Sequence, residues 1–205
     1  MNRAKNSPLL VVDLETSGVN PLRHRVVAAA AVPFDDDAPP LELYIKHDKI
    51  EWNDYARSQF DKYAARWTAN AVTPRDACDL LERYLELHYP QQKVTLIGHN
   101  IGFDVAFLRQ LAFYGGRDEL RGISHRAVDT HTLLYVLFKQ GRIPESALTS
   151  DGAFKFFNIQ VEETKRHTAL DDALATKLLA ARVFELLEMS SEFAEQTIGQ
   201  SVRRK

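Results

Sequence analysis

One cysteine, Cys78, is all that this 205-residue chain contains, so no disulfide can form within it. That suits a reducing compartment, and a cytoplasmic location is expected. Cys78 itself reads as a small buried apolar residue. No apolar stretch approaches the ~20 residues that a membrane span needs. The run that follows Arg3 and Lys5 lasts only from Leu9 to Val12 before Asp13 ends it, which does not read as a secretory signal. An excess of positive charge is also missing. The 26 Lys and Arg residues face 28 Asp and Glu residues, a net charge of −2, unlike the strongly basic balance of a non-specific nucleic-acid coat protein. Near-neutrality does not exclude an enzyme that acts on phosphate, because cations held by a carboxylate-rich site change the local charge where phosphate docks. No internal repeat or low-complexity linker divides the chain. Its length fits one domain, residues 1–205, with a core over about 8–188 and a C-terminal tail over 189–205.

What is present is a readable order of elements. Leu9 to Leu14 is short, apolar and rich in branched residues, as a buried strand requires. Turn signals follow at Ser17-Gly18 and Asn20-Pro21. A second strand is expected over Arg25 to Phe34, a break at Asp35-Asp36-Asp37 and Pro39-Pro40, and a third strand over Leu41 to Ile45. Short connections between them imply an antiparallel meander. Residues 47 to 70 scatter Trp52, Tyr55, Phe60, Tyr63 and Trp67 through polar sequence. They read as packing anchors of an irregular helical insert, with base stacking as the alternative. Thr73-Pro74-Arg75-Asp76 is a capped helix start. A helix to Pro90, a strand over Val94 to Ile97, a junction at Gly98 to Gly102 and a helix over Phe103 to Tyr114 follow. A fifth strand ends near Val128, a helix runs from Asp129 to Phe138, and the last helix spans about Ala169 to Glu188. The fold class is therefore α/β, a mixed five-stranded sheet with helices packed on it.

Four acids sit where acids are costly. Asp13 and Glu15 are two apart at the end of an apolar strand, so both project from one face. Asp104 shares a helix face with Phe107, Leu108 and Leu111, and Asp172 lines up with Thr176, Leu179, Val183 and Leu186. Asp171 falls on a half-polar stripe and reads as a surface acid. Buried like charges are unfavourable unless they share a cation. Hard oxygen ligands suit Mg²⁺ or Mn²⁺. Two such ions about 4 Å apart can clamp the attacking and leaving oxygens of a phosphoryl displacement. His167, five residues before Asp172, has the side chain of a general base, although beside Lys165 and Arg166 it also reads as a surface residue. With no cysteine beside these residues, a structural zinc site is not expected.

Three segments resemble the DEDDh 3′→5′ exonucleases of the ribonuclease H-like superfamily, which include the proofreading subunit of bacterial replicative DNA polymerase and ribonuclease T. They are Val12-Asp13-Leu14-Glu15-Thr16-Ser17-Gly18, His99-Asn100-Ile101-Gly102-Phe103-Asp104-Val105-Ala106-Phe107-Leu108, and His167-Thr168-Ala169-Leu170-Asp171-Asp172-Ala173. The resemblance covers about residues 8 to 188. It implies a ribonuclease H-like fold, with Asp13, Glu15, Asp104 and Asp172 as ligands of two divalent cations, Mg²⁺ or Mn²⁺, and His167 as the base that takes a proton from water. It implies that Thr16, Asn100 and Phe103 shape the pocket for the terminal nucleotide, while Asp129 caps a helix. The partners it implies are single-stranded DNA or RNA 3′ ends, with room for a homodimer or a polymerase association and no membrane. The alternative is a catalytically weak nucleic-acid-binding or polymerase-associated module. Ser17 replaces a threonine common in the family. The aromatic stretch and the tail ending Arg203-Arg204-Lys205 lie outside the resemblance.

Overall fold

The computed structural model describes residues 7–35, 37–162 and 167–202, with side chains described as far as Glu188. Among these residues, five strands form one sheet: β1 (Leu9–Thr16), β2 (Val26–Pro33), β3 (Leu41–Tyr44), β4 (Val94–Gly98) and β5 (Ile123–Asp129). Their spatial order is β3-β2-β1-β4-β5. β1 to β3 pair antiparallel, and β1, β4 and β5 run parallel, so the expected mixed sheet is the observed one. Among the described residues, seven α-helices flank it: α1 (Asp54–Phe60), α2 (Ala64–Asn70), α3 (Pro74–His88), α4 (Gly102–Tyr114), α5 (Thr130–Lys139), α6 (Ser150–Phe156) and α7 (Ala169–Val202). A short 3₁₀ turn covers Glu145–Leu148. Among the described residues, no helix is long and apolar enough to cross a membrane.

Strand alternation sorts the core into two layers. Leu10, Val12 and Leu14 face α3 and α4, where Cys78, Leu81, Phe107 and Leu111 close the first layer. Cys78 is fully buried there, as expected. Val11 faces the other way, into a layer with Ala28, Ala30, Ile97 and the α7 residues Ala169, Ala173 and Ala180. Asp13 and Glu15 share the parity of Val11 and therefore point towards α7. Small side chains on both partners let the α7 backbone lie close to the sheet, which carries Asp172 towards β1. A bulge marks the same place. Glu15 pairs with Ala28 but Thr16 pairs with Val26, leaving Val27 as the extra residue.

The insert is helical, and its aromatics pack largely as anchors. Phe60 meets Trp52, Tyr63 and Trp67 with ring centroids 4.8 to 5.5 Å apart. Trp67 donates its indole N–H to the Ile45 carbonyl at 3.0 Å. Tyr55 is the exception, largely exposed on α1. α7 differs from expectation in length, because it continues past Glu188 to Val202. The residues from Met189 onward include no proline, and only Gly199 has a strong helix penalty, so nothing local stops it. The stop expected at 188 marks the end of the resemblance rather than a structural signal. Arg203-Arg204-Lys205 lie outside the described residues, as do residues 1–6 and the Lys165 and Arg166 that precede His167.

Candidate active site

β1 delivers two of the acids. Beyond the apolar core of the strand, Asp13 and Glu15 project from the α7 face, half-buried. Asp172, in the first turn of α7, meets them there. One carboxylate oxygen from each of Asp13, Glu15 and Asp172 lies within 4.8 Å of the others. An octahedral Mg²⁺ or Mn²⁺ with oxygens at about 2.0–2.1 Å spans about 4.2 Å between opposite ligands, so small side-chain rotations suffice to close this set around an ion. The donor set is all carboxylate, which fits a hard cation. Asp171 behaves differently from its neighbour, accepting the Thr168 hydroxyl at 2.7 Å.

Asp104 is not a member of that triad. It lies on the buried face of α4 with Phe107, Leu108 and Leu111, as its helical stripe predicts, and 6% of its surface is exposed. Burial pushes its pKa up to about 7. Its own backbone N–H and that of Leu14 oppose the shift, while the charges of Glu15 and Asp129 add to it. The influence of the Leu14 N–H and of the Glu15 charge puts this carboxyl close to the strand that carries the acids.

His167 is tied to the triad through its backbone. Its N–H donates to Asp172 Oδ2 at 3.0 Å. The residue has a φ of 62°, a left-handed conformation uncommon outside glycine, asparagine, aspartate and histidine. The conformation and the hydrogen bond fix the direction in which the imidazole leaves the backbone. The Tyr55 ring stands edge-on to it, with centroids 6.2 Å apart. Sequence reasoning missed Tyr55 as a neighbour of this histidine. Its place among packing aromatics concealed it, and only its solvent-facing helical position distinguishes it.

The three remaining candidates flank the acids. Thr16 follows Glu15 at the bulge and donates its hydroxyl to the Gly18 carbonyl at 2.9 Å. Asn100 sits at the β4–α4 junction with a φ of 58°, held by an N–H bond of 2.8 Å to Asp129 Oδ1. Asp129 also accepts the His131 N–H and the Thr132 hydroxyl, so it is the helix cap expected of it. Phe103, in the first turn of α4, is partly exposed and rests on Phe107 with centroids 4.8 Å apart. His99, in the same segment, is a structural residue. Its Nδ1 meets the buried Thr130 hydroxyl at 3.1 Å, and burial lowers its pKa.

The turn after β1 is fastened by the last residues of the first motif together with residues outside all three. Ser17 is fully buried. Its N–H donates to the Arg25 carbonyl at 2.8 Å, its hydroxyl accepts the Arg25 N–H at 2.9 Å, and its carbonyl accepts the Asn53 N–H at 2.9 Å. Gly18 lies over the His24 ring, so that a Cβ there would fall 2.6 Å from it. From α4, the Gln110 amide donates to the Pro21 carbonyl and, at 2.7 Å, to that of His24.

The same architecture occurs in solved exonuclease structures. Exonuclease I of E. coli in complex with a dT13 oligonucleotide superposes with a TM-score of 0.72 at 18% identity, over 89% of this chain and 43% of that one. The zinc-bound E. coli exonuclease I–ssDNA complex gives 0.71 at 19% identity, over 90% and 43%. The moderately thermophilic exonuclease I of Methylocaldum szegediense gives 0.70 at 18%, over 86% and 40%. This chain thus spans about two fifths of those proteins, and at such identity the likeness is one of fold. No curated protein matches the sequence significantly. The family model described as exonuclease, that of ribonuclease T, matches residues 10–180, a span that holds all four acids and His167. The chain belongs to this family of DnaQ-like, DEDDh-type 3′→5′ exonucleases in the ribonuclease H-like superfamily.

Proposed function

We propose that this protein removes nucleotides one at a time from the 3′ end of single-stranded nucleic acid, with DNA as the leading substrate, and releases nucleoside 5′-monophosphates. The observation that carries this reading is the convergence of Asp13, Glu15 and Asp172 within 4.8 Å, with His167 bonded to Asp172. DNA leads because the fold is shared with exonuclease I bound to a dT13 oligonucleotide.

Asp13, Glu15 and Asp172, with Asp104 behind them, would hold two divalent cations. When bound, these supply charge to stabilise the phosphorane-like transition state and the departing oxygen. The imidazole of His167 accepts a proton from the attacking water as the new P–O bond forms. The bond from phosphorus to the 3′ oxygen of the penultimate nucleotide breaks, and that oxygen is protonated from solvent. Thr16, Asn100 and Phe103 line the approach and orient the terminal nucleotide.

The test is degradation of 5′-labelled single-stranded DNA and RNA with Mg²⁺, with Mn²⁺ and with chelator. A metal-dependent ladder shortening from the 3′ end is expected, stronger on DNA. A stronger RNA ladder would reassign the substrate, and no cleavage by a folded, metal-binding sample would reduce the protein to a binding module. His167→Ala should lower kcat by about 10²–10⁴-fold with little change in metal affinity. An unchanged pH–rate profile in that variant would remove His167 from the reaction.

A further inference from the structure

A second concave surface opens beside the catalytic turn, a cavity of about 590 Å³. Its walls come from four separate segments: Arg25 just before β2, the stretch Lys46 to Lys49 after β3, Thr73 and Pro74 at the start of α3, and the end of α4 at Tyr114. Arg25, Lys46 and Lys49 face a single acid there, Asp48. Among the described residues, none of these three cations forms an ion pair. That contrasts with a chain whose overall charge is −2.

The walls are held by bonds that leave the cationic groups available. The Lys46 N–H donates to the Val72 carbonyl at 2.9 Å, and the His47 ring meets the Val26 carbonyl at 2.8 Å. The Arg25 guanidinium lies over the Tyr114 ring, 4.5 Å from its centroid, and one of its nitrogens donates to the Arg23 and His24 carbonyls. A stacked guanidinium is pre-oriented, and its planar fork suits a phosphate. His47 adds no charge near neutrality, because burial lowers its pKa.

The location links this cavity to the acids. Arg25 is bonded through its backbone to Ser17, two residues after Glu15. Tyr114 closes the helix whose first turn carries Asp104, ten residues and about 15 Å away along the helix axis. We infer that this cavity binds the sugar–phosphate backbone of the substrate strand upstream of the nucleotide being removed. The inference rests on the exonuclease reading for the direction of the strand. The chemistry that recommends it is that of a phosphodiester polyanion, with three cations outside any ion pair gathered in one cavity and one of them, Arg25, held in place on the Tyr114 ring.

Two variants test it, Lys46→Gln/Lys49→Gln and, separately, Arg25→Gln. The lysine pair makes no side-chain bond that holds the turn, so it reads the cavity even if the arginine variant folds poorly. The probe is a fluorescein-labelled oligothymidylate of about 20 nucleotides, longer than one binding site, titrated in chelator at several salt concentrations. The lysine pair should weaken binding roughly tenfold and reduce the slope of log K against log salt by about 0.7 for each phosphate no longer neutralised. With Mn²⁺, its hydrolysis of the p-nitrophenyl ester of thymidine 5′-monophosphate, which has no upstream strand, should equal that of the wild type. Unchanged oligonucleotide affinity and salt slope would overturn the inference, as would an equal loss on the ester. A wild type that binds through these cations yet hydrolyses neither substrate would preserve the cavity and remove the exonuclease reading.

Discussion

Glu82 and Asp104 are equally buried, each with 6% of its surface exposed, and both lie on helices packed against the same sheet face. Their surroundings are opposite. Glu82 accepts the Arg121 side chain at 2.7 and 3.1 Å and its backbone N–H at 3.1 Å, with Arg117 3.4 Å away. Burial alone would raise its pKa, but these bonds and charges hold it below the usual carboxylate range. Asp104 has backbone N–H groups and two further acids around it, and its pKa rises to about 7. A fold that needs a buried carboxylate for structure surrounds it with arginine. Asp104 is instead left with a surplus of negative charge, the condition in which a bound cation contributes most.

The difference can be broken at either end. The largest expected effect is on chemistry. Asp104→Ala should lower hydrolysis at least about a thousandfold, since several kcal/mol of transition-state stabilisation go with the site. Its circular dichroism should remain native, and Glu82→Ala, assayed where it is folded, should keep its kcat. Next comes stability. Glu82→Ala leaves the mostly buried Arg117 with Asp79 as its remaining carboxylate partner and should cost about 1–3 kcal/mol in denaturant unfolding. Because the folded pKa of Glu82 is depressed, its contribution is present above the unfolded carboxylate pKa and fades as pH falls through the folded one, so the deficit should shrink in acid.

Divalent cation should act on one acid and not the other. Free Mn²⁺ at about a hundred times its Kd should stabilise the wild type by about 2.7 kcal/mol, read as a Tm shift. Glu82→Ala should keep that shift and Asp104→Ala should lose most of it. An equal shift in both would separate Asp104 from the metal site. The last effect has the opposite sign. With Asp104 raised, the ionised form weakens the metal-free fold increasingly from about pH 4 to about pH 7, and by a constant amount above that. Asp104→Asn, measured in chelator, should therefore be more stable than the wild type at about pH 8 and gain nothing near pH 4. A gain independent of pH would indicate a packing effect.

Much of this was legible in the sequence because it rests on local patterns. The strands announce themselves as short branched apolar runs, and the helix period placed Asp104 with Phe107 and Asp172 with Leu179. The same periods separated Asp172 from Asp171. The turn at residues 17–25 was legible as a turn but not as a fastened one. Its restraints come from Gln110, eighty-six residues from His24, and from Asn53, and no local pattern encodes such long-range backbone bonds. The two insert helices, α1 and α2, are seven residues each, too short for a period to register. α6 was missed for the same reason. The close approach of α7 depends on Ala28 and Ala30 of β2 meeting Ala169 and Ala173 from the far end of the chain, a match visible only once both are folded.

The aromatic insert is attached by buried rings and by main-chain bonds, neither of which involves its solvent-facing side chains. Asn53 donates its N–H to Ser17, Val72 to Tyr44, and Lys46 to Val72, while Trp67 reaches the Ile45 carbonyl. Bonds of that kind do not depend on which side chains the insert displays to solvent. Exposed residues of the insert can therefore be exchanged without removing those attachments, whereas exchanging Tyr55 would change the contact with the His167 ring. A library confined to the outer face of α1, with Tyr55 held fixed, would vary the surface beside His167 while the strand that carries the acids keeps its restraints.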